Sequence, residues 1–160
     1  MSSLKKTYAI ILITALACLT TFYTKAQISN PVAPSLTAPN PWTDSQLLEP
    51  SALADQIKNG GTNLPLILNI GAVEDIKGAT HIGAVNDAKN LEKLKNTVAA
   101  LPKNTAIVIY CGCCPFARCP NIRPAFSELV KSGFTNVKLL NLSTNLKTNW
   151  IAKGYPLAAK

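Results

Sequence analysis

The sequence predicts an α/β domain with a central parallel sheet and helices on both faces. Three observations lead there. Residues 66–70 and 106–110 are apolar almost without interruption, as strands are when both faces are covered. Other stretches keep their apolar residues at helical spacing instead. Strand and helix signals then alternate along the chain, the order of a parallel sheet wrapped by crossover helices.

The elements follow in turn. Gln46, Leu47 and Leu48 read as a short first strand. Ser51 reads as the N-cap of a helix with Leu53 and Ile57 on one face and a stop at Gly60 and Gly61. The strand 66–70 comes after Pro65. A second helix begins near Asp87, carries Leu91, Leu94, Val98 and Leu101 on one side, and ends at Pro102. After the strand 106–110 and a loop, a third helix groups Ile122, Phe126, Leu129 and Val130 and stops at Gly133. Asn121 is placed to cap it, with Pro124 in the first turn, where a missing N–H is harmless. Residues 137–140 form a further strand, and a short last helix surrounds Trp150. Trp42, Trp150, Phe126 and Phe134 are expected as packing residues.

The N-terminal stretch has a different character. Lys5 and Lys6 precede an uncharged, largely apolar run over 8–22, and Thr24, Lys25 and Ala26 give a small-residue exit. That order is the pattern of a secretory signal peptide over 1–26. The run is short for a membrane span, and it continues past Cys18, against lipid attachment there. The mature protein is therefore expected to be exported to a bacterial periplasm, free of the membrane after cleavage, and monomeric. Residues 27–41, with Pro31, Pro34, Pro39 and Pro41, read as an extended linker, and 42–160 as the domain. Losing Lys5, Lys6 and Lys25 takes sixteen basic residues to thirteen against eight acids, a mildly positive balance. The lysines are scattered without interleaved aromatics, which excludes a nucleic-acid surface and leaves a small anionic substrate as the partner such a field favours.

Cysteine placement is the unusual feature. Cys111, Cys113, Cys114 and Cys119 fall within nine residues, so they build one local site and cannot staple distant segments. Cys111 directly follows the strand 106–110, and open α/β sheets bind ligands at the carboxyl ends of their strands. A loop running from such a strand into a helix start turns N–H groups inward as an anion cradle, which favours a thiolate. Arg118 and Arg123 stand close enough in sequence to add positive charge. The thiolate is the nucleophilic form of cysteine. A Cys-His pair would need His81, the only histidine, and that residue is expected in a packing or turn role.

With these residues in view, the chain from Trp42 to Pro156 resembles the rhodanese-like family. The matching pieces are the strand 66–70, His81-Ile82-Gly83-Ala84, Ile107-Val108-Ile109-Tyr110-Cys111, Ser132-Gly133-Phe134, Asn136-Val137, Trp150 and Gly154-Tyr155-Pro156. The resemblance implies a three-layer fold and a sulfurtransferase, which the leader-like segment would make an exported one. Cys111 would carry a sulfane sulfur as a persulfide, taken from thiosulfate or a similar donor and passed to a thiol or to cyanide. Gly112, Cys113, Cys114, Phe116, Ala117 and Arg118 would form the substrate cradle, with Arg123 beside it. No metal or cofactor is implied.

Two departures stand out. Asn69 and Gly71 occupy positions where the family usually has Asp and Arg, and the loop is longer, with four cysteines in place of one. Cys111 and Arg118 are one residue further apart than the phosphatase-like Cys-x5-Arg spacing, so sulfur transfer fits better than phosphate-ester hydrolysis. For the added cysteines three roles stay open: a loop disulfide such as Cys114–Cys119, a resolving thiol, or metal ligation; the non-catalytic alternative is a module of this fold that uses the cluster for metal binding or for disulfide redox exchange.

Overall fold

A computed structural model describes residues 39–60 and 63–159. The expected signal segment, Cys18 and most of the linker lie outside the described residues. Five strands form one sheet, β1 (Leu47–Leu48), β2 (Leu66–Asn69), β3 (Ala79–His81), β4 (Ile107–Tyr110) and β5 (Val137–Leu140). Their order is β1-β5-β4-β2-β3, and every neighbouring pair is parallel. The helices are α1 (Pro50–Lys58), α2 (Ala88–Val98), α3 (Ile122–Lys131) and α4 (Leu146–Asn149). This is the expected α/β class with a parallel sheet. Among the described residues no helix is long and apolar enough to cross a membrane.

Side chains from β4 go alternately to the two faces, and both faces are covered. Ile107 and Ile109 join Leu94 and Val98 of α2 and Ile122, Ala125, Phe126 and Leu129 of α3. Val108 and Tyr110 join Leu53, Ala54 and Ile57 of α1 and Leu146 of α4 on the other side. Burying each of the larger aliphatic side chains contributes about 2 kcal/mol, so the two helix layers are held mainly by apolar area. A strand in this position cannot alternate polar with apolar residues, which is why 106–110 reads as it does.

Local chemistry corrects several expectations. Helix α1 starts two residues earlier than Ser51 suggested, with Glu49 at the N-cap and Pro50 at the first helical position. Helix α2 begins near Asp87 as expected, and Asp87 caps it, accepting from the Lys89 amide at 2.8 Å. Val130 is exposed (48%), because Ala125 completes the inward stripe of α3 and turns that position to solvent. The end of α3 is closed by Phe134 N–H to the Leu129 carbonyl and Gly133 N–H to the Val130 carbonyl, a Schellman pair. The edge strand β3 is an element that the sequence reading left out.

The topology fixes where chemistry can occur. From β2 the chain continues outward to β3, and from β4 it continues the opposite way to β5. The carboxyl ends of β2 and β4 therefore flank the point where the winding reverses, the place where such sheets hold ligands. Asn69 ends β2, and Cys111 directly follows β4.

Candidate active site

Cys111 is 2% exposed and sits at this crevice. Its neighbours explain why the surrounding residues are small. A Cβ on Gly71 would lie 2.4 Å from the Cys111 carbonyl oxygen and 2.8 Å from its Sγ, so no larger residue fits there without moving backbone. Gly112 has φ +75°, and a Cβ there would meet the Leu146 Cβ at 2.8 Å. The chain can thus turn sharply between Cys111 and Cys113 only with glycine in between. That turn brings the two sulfurs to 3.2 Å.

Hydrogen-bond donors converge on the Cys111 sulfur. Asn121 Nδ2 donates to it at 3.2 Å, while Asn121 Oδ1 accepts from the Asn86 amide at 2.9 Å. The second bond fixes the orientation of the side-chain amide, so its NH2 group must face the sulfur. Asn121 stands at the N-cap position but makes no side-chain cap bond, because its side chain serves the sulfur instead. The Cys119 thiol, the Cys113 amide and the Cys113 thiol supply further donors.

This arrangement separates the thiols electrostatically. Hydrogen bonding from Cys119 is the largest influence on Cys111; burial opposes it, and Asn121 and Cys113 reinforce it, lowering the Cys111 thiol to about 5. The neighbours move the other way. Burial, then the hydrogen bond to Cys111, pushes Cys113 up to about 12. The hydrogen bond to Cys111, then burial, raises Cys119. One sulfur is thus the anion and its neighbours are proton donors to it.

The cradle is built differently from the ring of loop amides expected. The amides of Phe116, Arg118 and Cys119 are taken up by the carbonyls of Leu142, Pro115 and Phe116. Of the expected cradle amides, that of Cys113 reaches the sulfur, and side chains provide the rest. Phe116, Ala117 and Arg118 form a single turn of 3-10 helix, with Ala117 and Arg118 exposed. Phe116 packs on Trp42, ring centroids 6.0 Å apart, which ties the loop to the start of the domain. Arg123 points to that same segment. Its guanidinium donates to the Pro39 carbonyl at 3.1 Å and to Asn40 Oδ1 at 2.7 Å, and lies over the Trp42 ring. Pro39 and Asn40, expected as linker, are therefore fastened to α3.

All four loop cysteines are free thiols. Cys119 belongs to a trio with Cys111 and Cys113, in which Cys111 and Cys119 are buried and Cys113 is exposed, whereas the sulfur next to Cys114 is that of Cys113, at 3.2 Å. The Cys114–Cys119 disulfide considered from sequence is thus not the pairing this arrangement prepares. The Sγ atoms of Cys111, Cys113 and Cys119 lie within 4.8 Å of one another, and this trio could hold a soft metal ion.

The loop after β2 braces the site from the other side. Asn69 is fully buried and accepts from the Gly71 amide at 3.0 Å. Its NH2 group donates to the Val73 carbonyl and to Asp75 Oδ1, both at 2.8 Å. Asp75 pairs with His81 Nδ1 at 2.9 Å. Burial would raise the Asp75 carboxyl, but hydrogen bonds from Asn69 and His81 and the charges of His81 and Lys93 outweigh it, so the group is lowered. His81 is engaged here, and no imidazole is among the groups donating to the Cys111 sulfur. Asn121 and Gly71 are the site residues that sequence reasoning missed. An Asn before a helix reads as a cap, and Gly71 read only as a lost arginine.

No protein-family model and no curated protein matches the chain. Among solved structures it is similar to the Alr3790 protein from Anabaena sp., with a TM-score of 0.51 and 20% identity over 70% of this chain and 91% of that one. The similarity is one of fold, an α/β sheet of the kind described above.

Proposed function

We propose that this chain is a sulfurtransferase of the rhodanese-like type, in which Cys111 carries a sulfane sulfur between a small anionic donor and a thiol or cyanide acceptor. The convergence of side-chain and main-chain donors on the one sulfur at the winding reversal of the sheet carries this reading. The thiolate of Cys111 attacks the outer sulfur of thiosulfate, a Cys111–sulfur bond forms, and sulfite leaves with the electron pair of the broken sulfur–sulfur bond. Donors already in place for a thiolate serve the persulfide anion as well. The leader-like sequence supports export to a bacterial periplasm, where the domain acts as a monomer.

Intact-mass measurement of the reduced protein before and after thiosulfate tests the proposal. One added sulfur atom is expected, mapped to Cys111 and removed by cyanide. Cys111→Ser is expected to abolish loading, and equal loading of that variant would refute the assignment. A second reading rests on the sulfur trio: a module that binds a soft metal without catalysis. Stoichiometric metal in protein purified without chelator, with no sulfur uptake, would favour it.

A further inference from the structure

The sulfurs of this loop differ in access, two being buried, one half-buried and one exposed. Cys119 and Cys111 are each 2% exposed, Cys113 is exposed, and Cys114 stands next to Cys113. An external thiol must approach a nearly buried sulfur, while the Cys113 sulfur is already 3.2 Å from it. A group held at contact distance reacts with an effective concentration that free thiols do not reach. We propose that Cys113 discharges the persulfide on Cys111 within the same loop, so that the protein releases hydrosulfide and is left with a Cys111–Cys113 disulfide. This rests on the sulfurtransferase reading above and names the acceptor for it.

The step balances without an outside oxidant. The Cys113 sulfur attacks the inner sulfur of the persulfide, the Cys111 Sγ. A Cys111–Cys113 bond forms, and the bond from Cys111 to the outer sulfur breaks. The outer sulfur leaves with the electron pair and takes the proton that Cys113 gives up, departing as hydrosulfide. The sulfane sulfur gains two electrons, and the two thiols lose two on becoming a disulfide. An external dithiol then resets the loop, one of its sulfurs attacking the exposed Cys113 sulfur and the other releasing it. Cys119 is the less suitable partner, because a disulfide between the two buried sulfurs would be closed to such a reductant. The glycine between the partners is the residue that lets them face each other.

The test is a single turnover of the reduced full chain with thiosulfate and no other thiol, following sulfite, hydrosulfide and protein mass. The wild type is expected to release one hydrosulfide for each sulfite and to end with a Cys111–Cys113 disulfide by peptide mapping. Cys113→Ser keeps the main-chain amide and a hydroxyl donor. It is expected to release sulfite, hold the sulfur on Cys111, and form hydrosulfide at least about tenfold more slowly. Cys119→Ser should load less readily yet keep hydrosulfide and sulfite equal. A wild-type persulfide as long-lived as that of Cys113→Ser, or unchanged hydrosulfide release in that variant, would overturn the proposal while leaving the transferase reading intact. Absence of both sulfite and bound sulfur in every form would overturn that reading and this step with it.

Discussion

Two loops meet at the carboxyl ends of the adjacent strands β2 and β4, and they are built on opposite plans. In the loop after β2, polar groups satisfy one another: Asn69 serves Gly71, Val73 and Asp75 at once, Asp75 pairs with His81, and the Tyr110 hydroxyl takes the Ile76 amide at 2.9 Å. In the loop after β4, donors from Cys113, Cys119 and Asn121 aim at a single acceptor, the Cys111 sulfur. The first loop is a closed network with its charge answered at its own edge. The second concentrates electrostatic effect on one atom, which suits a reactive group. Gly71 joins them, held by Asn69 on one side and pressed against Cys111 on the other. A rigid loop thus presents the floor on which the reactive sulfur rests.

The largest effect should come from breaking the closed network. Asn69→Leu leaves the Gly71 amide and the Val73 carbonyl without their partner and strands part of the Asp75 bonding. It should cost about 3 kcal/mol, read as a lower denaturation midpoint in urea with an unchanged slope. A smaller stability loss, with a larger loss of function, is expected at the junction. Gly71→Ala forces the Cys111 backbone to move and should cost about 2 kcal/mol, and sulfur loading should fall at least about tenfold, because the donors no longer meet the sulfur. If loading survives this change, the two loops are not coupled through Gly71. Arg123→Ala lies at the far end of the scale. Its guanidinium fastens the segment 39–42, so about 0.5 kcal/mol of stability should go, and sulfur loading should stay near the wild-type rate. A steep loss of loading would instead restore the arginine to the substrate cradle.

Much of this contrast could be read from residues, and the unread parts have physical reasons. The strand β4 and the position of Cys111 were legible because a strand covered on both faces leaves an unbroken apolar run that ends at the cysteine. Strand β3 was not, because it is an edge strand of three residues in which Thr80 and His81 are exposed, so no apolar pattern marks it. The donor set was only partly legible. Cradle amides were expected throughout the loop, yet the 3-10 turn at 116–118 takes up that of Arg118, and the Leu142 carbonyl takes up that of Phe116. Asn121 gave no sign of its role, since capping and donation to a sulfur call for the same residue type at the same place. Asn69 read as a lost charge, while its amide does in neutral form the bracing of the loop beside it.

The proposed chemistry depends on Cys111 being an anion held by neighbouring donors. Because its folded value of about 5 lies below the ordinary thiol value of 9.0, its contribution to stability is full above the latter and is lost as pH falls through the former. Reactivity follows the same titration. The direct measurement is the rate of Cys111 alkylation by iodoacetamide from pH 4 to pH 9, with the modified peptide quantified, in the wild type and in Asn121→Ala. The wild-type rate should rise through about pH 5 and then level off. Removing the amide donor should shift the rise upward by about one unit, making Cys111 roughly tenfold less reactive on the rising limb. A wild-type rate that climbs only towards pH 9, unchanged by the substitution, would show an ordinary thiol and contradict the account.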